Sequence, residues 1–168
     1  EANVLAAIQL QVKAALDYDK LLDKLRGSEG EKNIRDQQNA LITSLNLRLN
    51  GVSKKRTRLY EDYAEGLLDE AEYSFAKKSY DEQYADLSRR LDEAVQRRSK
   101  FDEAMSVDNK WITLMKSVST ATQLSQDLVD ESVELVKVHE GGAVELVMKY
   151  GDIYELTIQS IKEVQEAM

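Results

Sequence analysis

The chain's apolar residues recur mostly at steps of three and four, the spacing that aligns side chains along one face of an α-helix. The first such stripe predicts an amphipathic helix over residues 2–26. Gly27 and Gly30 follow it, and we expect them to supply a C-terminal stop and a loose joint. The stripe consists of Val4, Leu5, Ile8, Val12, Leu16, Leu21, Leu22 and Leu25.

Two longer stripes follow, and their steps alternate between three and four residues, which is typical of a coiled-coil seam. One runs from about Glu31 to Gly66, and the other from Asp69 to about residue 106. If the chain folds back at 66–69, the position numbers of facing residues should have a constant sum, and seven apolar pairs sum to 135 or 136. The sequence therefore predicts an antiparallel coiled-coil hairpin with helices about 50 Å long. The pairs are Ile34–Phe101, Leu41–Val95, Leu45–Leu91, Leu49–Leu87, Val52–Tyr84, Leu59–Ala76 and Tyr63–Tyr73.

The last third of the chain predicts shorter elements. Residues 107–118 are predicted to form a short helix whose docking face holds Trp111, Ile112, Leu114, Met115 and Val118, and Ser125 is predicted to cap another short helix. A β-hairpin is predicted over about 134–150, because Val136 and Val138, and then Val144, Leu146, Met148 and Tyr150, alternate with polar residues around a Glu140-Gly141-Gly142 turn. A final helix follows. The predicted fold is mainly α, divided into residues 1–30, 31–106 and 107–168.

Composition narrows the classes of function. The 168 residues include no proline and no cysteine, which favours unbroken helices, excludes thiolate metal sites and fits a reducing, cytoplasmic location. The net charge of −8 works against a large DNA-binding surface, because Lys and Arg must neutralise the phosphates. No run approaches the ~20 apolar residues of a membrane span, and the acidic first residues do not resemble a signal peptide.

The candidate reactive groups do not predict catalysis, a cofactor, a metal or a small-molecule substrate. His139-Glu140 begins the string HEGGA, but a zinc-protease motif needs a second histidine on a helix. No serine lies in a G-x-S-x-G turn. The acidic groups are interpreted as solvated helix faces and caps, since a carboxylate di-metal bundle needs histidines that one residue cannot provide. They are Asp17/Asp19, Glu61/Asp62 and Asp69/Glu70/Glu72.

Basic residues on the predicted hairpin are the candidates for touching nucleic acid. The run Lys54, Lys55, Arg56 and Arg58 lies opposite residues 79–82 in the predicted register, so Asp81 and Glu82 are expected to neutralise part of it. Interhelical ion pairs are the favoured interpretation, and the same holds for the second cluster. That cluster consists of Arg89, Arg90, Arg97, Arg98 and Lys100.

The predicted tip concentrates aromatic residues, with five of the eight tyrosines between positions 60 and 84. Gly66 ends one helix, and Asp69 with Glu72 forms a capping box that starts the next. Tyr60, Leu67 and Leu68 have no seam partner and are expected to be exposed. Exposed apolar residues at a helical tip favour contact with a partner, although local capping of the turn is the alternative.

These features resemble the helical region of large serine recombinases. The stretch LYEDYAEGLLDEAEYSFAKKSYDEQY carries the resemblance at Leu59, Tyr60, Tyr63, Gly66, Asp69, Glu72 and Tyr73. A second stretch, LSQDLVDESVELVKVHEGGAVELVMKY at residues 124–150, is similar to the closing segment of the same family.

The resemblance implies a non-catalytic coiled-coil segment that follows a zinc ribbon. In that family, a serine-nucleophile domain cuts DNA, and contacts between coiled-coil tips of different subunits control synapsis and the direction of integration or excision. Zinc, the catalytic domain and DNA contact would then lie upstream of Glu1, and self-association is the expected role of this part. The tip residues would be Tyr60, Tyr63, Gly66, Leu67, Leu68 and Tyr73, held by a seam of Leu41, Leu45, Leu49, Val52, Leu59, Tyr84, Leu87, Leu91 and Val95.

A second hypothesis is a stand-alone, chaperone-like or tethering coiled-coil adaptor unrelated to DNA. It predicts a short free-standing gene, whereas the recombinase hypothesis predicts cysteines and a catalytic domain upstream.

Overall fold

The computed structural model describes residues 2–140 and 144–168 and confirms a mainly α fold with long paired helices and a small β-hairpin. Within those ranges the chain forms six helices and two strands. They are α1 (Ala2–Leu25), α2 (Glu29–Ala64), α3 (Glu70–Met105), α4 (Lys110–Ser117), α5 (Gln126–Ser132), β1 (Val133–Val138), β2 (Val144–Met148) and α6 (Gly151–Glu166). No helix in this described part combines the length and apolar character needed to cross a membrane.

The chain divides into two compact units. The coiled-coil unit is Arg35–Ser99, and the mixed unit joins Glu1–Ile34 with Lys100–Met168. The segments predicted as residues 1–30 and 107–168 thus belong to one unit, with a common core.

The coiled-coil unit is held by a narrow seam between α2 and α3. Leu45, Val52, Leu87 and Ala94 are buried together. Leu59 is also buried, and half-buried residues complete the seam. These flanking residues are Ile42, Leu49, Tyr80, Tyr84 and Leu91.

The prediction is wrong for two seam residues, because Leu41 is 45% exposed and Val95 is 46% exposed. Their neighbours Ile42 and Ala94 pack in the seam instead. Helix rotation explains the difference, because each residue turns the helix by about 100°. Ile42 lies seven residues before Leu49 and returns to within about 20° of the same face, whereas Leu41, eight residues before it, points about 80° away.

The predicted register is nevertheless correct within the coiled-coil unit. The Arg56 guanidinium lies 2.7 Å from the Asp81 carboxylate across the two helices, and Arg98 hydrogen-bonds the side-chain oxygen of Asn39. In each pair, the sum of the two position numbers differs by only one from the predicted constant. The seam position moves forward by one residue on α2, from Leu41 to Ile42, and back by one residue on α3, from Val95 to Ala94. These opposite shifts cancel, so the pairing between the helices is preserved.

The mixed unit has a larger core, in which the short helix α4 is the central element. Trp111, Ile112 and Met115 of α4 are fully buried and pack with Ile8 and Leu22 of α1. The docking face predicted for this helix is therefore confirmed. Trp111 also contacts two tyrosine rings, with centroid distances of 6.1 Å to Tyr18 and 4.7 Å to Tyr154.

Two details of the predicted first helix are wrong. Leu16 is 36% exposed, and its neighbour Ala15 occupies the core. Gly27, with φ +73°, ends α1 as predicted, but Gly30 is not a joint. It lies inside α2, where an added Cβ would collide with the Val164 carbonyl oxygen and come within 2.7 Å of Met168 Cγ. Close packing of α2 on α6 therefore requires a glycine.

Polar caps fix the ends of the short helices. Asn109 precedes α4 and accepts a hydrogen bond from the Ile112 amide at 3.1 Å. Its side-chain amide donates to the Ala104 carbonyl at 2.9 Å and to Thr157 Oγ1 at 2.8 Å. Ser125 caps α5, as predicted, by accepting from the Leu128 amide at 3.2 Å.

The β-hairpin pairs β1 with β2 antiparallel, with Val136 opposite Leu146 and an irregularity between Val133 and Leu135. The predicted glycines of its turn, Gly141 and Gly142, lie outside the described residues. Tyr150 is not the last strand residue that alternation predicted. With φ 58°, it adopts the left-handed conformation and forms the N-cap of α6.

Candidate interaction site at the tip of the coiled-coil unit

The tip is closed by two backbone motifs that the sequence predicts. Gly66, with φ +74°, ends α2 in a Schellman arrangement: its amide donates to Tyr63 O at 3.1 Å, and the Leu67 amide donates to Asp62 O at 2.9 Å. Asp69 then accepts from the Glu72 amide at 2.8 Å, while Glu72 Oε2 accepts from the Asp69 amide at 3.0 Å. This reciprocal capping box starts α3.

An aromatic pair joins the two helices directly below this turn. The rings of Tyr63 and Tyr73 stack with a centroid distance of 4.3 Å and an interplanar angle of 16°. The turn is thus held by three independent interactions: a glycine C-cap, a capping box and a ring stack.

The apolar residues at this end differ in exposure. Tyr60 is 63% exposed and Leu67 is 68% exposed, as predicted. Leu68 was predicted to be exposed but is half-buried. Phe75 was not singled out in the sequence, yet it is 81% exposed. Its position between the seam residues Tyr73 and Ala76 indicates the outward face, and that spacing could have identified it.

A shallow groove of about 370 Å³ lies on the coiled-coil unit just behind the tip. Tyr60 and Tyr73 line it, and so do Arg56 and Lys77, which both pair with Asp81. Ser53, Thr57, Leu59 and Asp81 complete the lining.

Charges are separated along this unit. The acidic tip, defined here as residues 61–76, carries six carboxylates and no Lys or Arg. The basic shaft, defined as residues 48–60 and 77–90, carries nine Lys or Arg and three carboxylates. Opposite charges therefore lie on adjacent parts of the same helical pair.

Part of the basic run is neutralised within the shaft, as predicted for Asp81. This carboxylate lies 2.7 Å from Arg56 and 3.4 Å from Lys77. The Arg56 guanidinium also lies 4.9 Å from the centre of the Tyr84 ring, a cation–π contact. Arg58 is 3.9 Å from Asp62. Among the described residues, Lys54 and Lys55 have no ion pair within 4 Å.

The second basic cluster is also engaged locally. Arg89 contacts Asp86 at 2.5 Å and Glu93 at 2.8 Å. The hydrogen bond to Asp86, and to a smaller extent the one to Glu93, raises the pKa of Arg89. Both carboxylates belong to α3 itself, so Arg89 is paired within its own helix, whereas the sequence interpretation favoured pairing across the two helices.

Other candidate groups belong to the mixed unit. His139 follows β1 and lies 2.9 Å from Glu145, which also contacts Lys137 at 3.0 Å. Asp19 is paired with Lys116 at 2.6 Å. Across residues 2–140 and 144–168, no group of three or more His, Cys, Asp or Glu side chains is arranged to hold a metal ion.

Comparison of the chain with protein-family models, curated proteins and solved structures finds no match.

Proposed function

We propose that this chain is a non-catalytic coiled-coil part of a large serine site-specific DNA recombinase, in which the tip contacts another subunit. Such contacts would control synapsis and so the direction of DNA integration or excision. The proposal combines the resemblance of residues 59–84 and 124–150 to that family with the exposure of Tyr60, Leu67 and Phe75.

The exposed tip on a fixed turn is the observation that carries the proposal. A turn that is capped at both helix ends and braced by the Tyr63–Tyr73 stack does not need Leu67 for its own packing, since Leu67 is 68% exposed. Because the turn is already ordered, covering its apolar side chains requires little further ordering of the backbone. They are therefore suited to association.

The first experiment measures self-association of the chain by sedimentation velocity. Leu67→Ser should abolish or strongly weaken association without lowering thermal stability. Leu47→Ser is the matched control, because Leu47 is also 68% exposed but lies in the middle of α2, outside the tip. A chain that stays monomeric at all accessible concentrations, or equal effects of the two substitutions, would contradict the proposed role of the tip.

The recombinase assignment has its own test, which is the sequence of the reading frame upstream of Glu1. We expect a cysteine-bearing zinc ribbon preceded by a serine-nucleophile domain. A start codon immediately before Glu1 would instead favour a stand-alone chaperone-like or tethering adaptor. Where the upstream domains exist, Leu67→Ser in the full protein should impair recombination between paired sites and leave binding to a single site intact.

A further inference from the structure

One flank of the coiled-coil unit carries cations on both helices, although the positions beside a coiled-coil seam ordinarily carry opposite charges. Arg48 immediately precedes the seam residue Leu49, and Arg90 immediately precedes the seam residue Leu91. Each arginine is therefore turned about 100° from the seam in the same rotational sense. Because α2 and α3 run antiparallel, this rotation places both arginines on the same flank.

The two arginines also lie at the same level along the hairpin. Arg56 contacts Asp81 across the seam at 2.7 Å, which fixes the level of those two positions. Arg48 lies eight residues before Arg56 on α2, and Arg90 lies nine residues after Asp81 on α3. Since the helices run in opposite directions, Arg48 and Arg90 lie within one residue of the same level.

The groove near the tip lies on the opposite flank. Ser53 immediately follows the seam residue Val52, Asp81 immediately follows the seam residue Tyr80, and both line that groove. Residues that follow a seam position are turned away from those that precede one. The flank that carries Arg48 and Arg90 is therefore separate from the groove and from the Asp81 carboxylate.

Two more cations extend this flank. Lys55 follows Arg48 by seven residues, and Arg97 follows Arg90 by seven. Seven residues are nearly two full turns, so each added cation lies on the same face as the arginine before it. The two steps lead in opposite directions along the hairpin. Together the four side chains form a strip about 20 Å long, named here the cationic flank.

The cationic flank has little neutralising charge of its own. All four side chains are exposed, and three of them have no carboxylate within 4 Å among the described residues. The exception, Arg90, lies 3.9 Å from Asp86, whose carboxylate also holds Arg89 at 2.5 Å. Glu93 is likewise engaged by Arg89, at 2.8 Å. Cations that face one another across two helices repel, and an anionic ligand would relieve that repulsion.

We propose that the cationic flank binds the phosphate backbone of duplex DNA. Each DNA strand presents a phosphate about every 3.4 Å, so roughly six phosphates of one strand lie within the length of the flank. A regular row of phosphates can engage all four cations at once, and a guanidinium donates two parallel N–H bonds to a phosphate. Such a contact reads no base and is independent of DNA sequence.

This inference goes beyond the proposed function, which concerns the tip. The net charge of −8 is compatible with it, because the contact is limited to a few phosphates on one flank.

The salt dependence of DNA binding measures the number of phosphates engaged. Fluorescence anisotropy of a labelled duplex of about 20 base pairs follows binding of the whole chain between about 20 and 100 mM NaCl. Four contacts predict that the logarithm of the binding constant falls with the logarithm of salt concentration with a slope of about −3.6. Two duplexes of unrelated sequence should bind with affinities within about twofold of each other. Absence of binding at the lowest salt, or a slope near zero, would overturn the inference.

Charge reversal locates the contact. The variant R48E/R97E should bind DNA at least about tenfold more weakly, and its salt slope should fall to about −1.8 because two contacts are lost. K54E/K78E is the matched control. It changes the net charge by the same amount through two exposed lysines that lie outside the cationic flank. Equal weakening by the two variants would show that net charge alone governs binding, and would overturn the inference.

A single substitution separates loss of binding from loss of folding. Arg48→Glu places a carboxylate level with Arg90 and removes the repulsion between the two helices. It should therefore raise the melting temperature of the chain while it weakens DNA binding. A lower melting temperature in this variant would contradict the placement of Arg48 beside Arg90 and overturn the inference.

An acidic protein surface is the alternative ligand for these cations. Poly-glutamate should compete with DNA at least about tenfold less well at equal charge concentration, because carboxylates on a flexible chain lack the fixed spacing of phosphates. Competition that equals that of unlabelled DNA would assign the flank to acidic protein and overturn the inference.

The outcome is separable from that of the proposed function. Leu67→Ser should leave DNA binding unchanged, and R48E/R97E should leave self-association unchanged. If the chain does not bind DNA while Leu67→Ser still abolishes association, the cationic flank is refuted and the role of the tip stands.

Discussion

Tyr63, one residue before the end of α2, stacks on Tyr73, in the first turn of α3, with ring centroids 4.3 Å apart. The two rings lie immediately below the Gly66 turn and connect the helices where a two-helix seam would otherwise fray. The pair also obeys the register that apolar spacing predicts for the whole hairpin. Local turn chemistry and long-range pairing thus agree at this point.

Loss of this stack should loosen the tip. Tyr73→Ala removes an aromatic pair worth about 0.5–1.5 kcal/mol beyond simple burial. We expect faster amide hydrogen exchange over residues 60–73 than in the parent chain. Tyr60→Ala is the control, since its 63% exposed ring should contribute little to stability. Equal exchange rates in the two variants would show that the stack does not hold the turn.

Leu41 and Leu45 are four residues apart in α2, but only Leu45 is buried in the observed seam. Leu45→Ala should destabilise the coiled-coil unit by about 2–4 kcal/mol, because Leu45 is only 2% exposed and its truncation leaves a cavity. Leu41→Ala should cost less than about 1 kcal/mol, since Leu41 is 45% exposed. Denaturant unfolding followed by helical circular dichroism measures both. A larger loss of stability in Leu41→Ala than in Leu45→Ala would show that Leu41 belongs to the seam, as the sequence predicts.

Substitution by alanine should change stability in opposite directions at Gly51, which lies inside α2, and at Gly66, which forms its C-cap. Gly51 lies within α2 and nothing lies within 4 Å of an added Cβ, so Gly51→Ala should stabilise the helix by up to about 1 kcal/mol. Gly66 has φ +74°, and Gly66→Ala should cost about 1–2 kcal/mol because a Cβ is strained there. Thermal melting of the two variants should shift in opposite directions. A stabilising Gly66→Ala would contradict the C-cap.

Asn109 is the polar residue on which the mixed unit depends most. Asn109→Ala removes the cap of α4 and leaves buried partners unsatisfied at Ala104 and Thr157, so we expect a loss of about 2–4 kcal/mol. Asn109→Asp keeps the acceptor for the Ile112 amide but loses both donated bonds. It should be destabilised unless the new carboxyl is protonated, and its stability should therefore fall as pH rises. Chemical unfolding at two pH values measures this, and a pH-independent result would contradict the assignment.

Glu145 makes the hairpin sensitive to acid. Its hydrogen bond with Lys137, and then that with His139, lowers the pKa of Glu145. A carboxylate with a lowered folded pKa contributes stability above its ordinary value of about 4.3 and loses that contribution as pH falls through the folded value. The effect on stability should be small, because exposed ion pairs are weak.

An NMR titration of the Glu145 side chain tests this cause. Lys137→Met should raise the pKa of Glu145 toward its usual range, and His139→Asn should raise it less. A pKa of Glu145 that does not change in the Lys137→Met variant would show that another group stabilises the carboxylate.

Sequence patterning was sufficient for the long elements because their signals are local and repeated. The hairpin register, the Gly66 stop and the Asp69–Glu72 capping box each depend on residues within a few positions of one another, or on a period sustained over many turns. The docking face of α4 followed from the same reasoning. These features can be predicted without knowing what packs against them, except that a second apolar surface must be present.

Errors of one residue arose where two neighbouring apolar side chains compete for one face. Leu41 with Ile42, Ala94 with Val95, and Ala15 with Leu16 are such pairs. Hydrophobicity favours the larger residue, but the structure buries Ala15 and Ala94 and exposes their larger neighbours. The choice is made by helix rotation and by the space that the opposing surface leaves.

The sequence by itself determined which segments are helical, where the long hairpin turns and how its two helices align, because these follow from periodicity and caps. Only the tertiary structure decided that Gly30 is a packing glycine, that Tyr150 leaves the strand and that Phe75 joins the exposed tip. It also placed a groove beside Arg56 and Lys77, directly behind an acidic tip. Close approach, backbone handedness and exposure depend on the distance to residues far away in the chain, and a linear pattern carries no such distance.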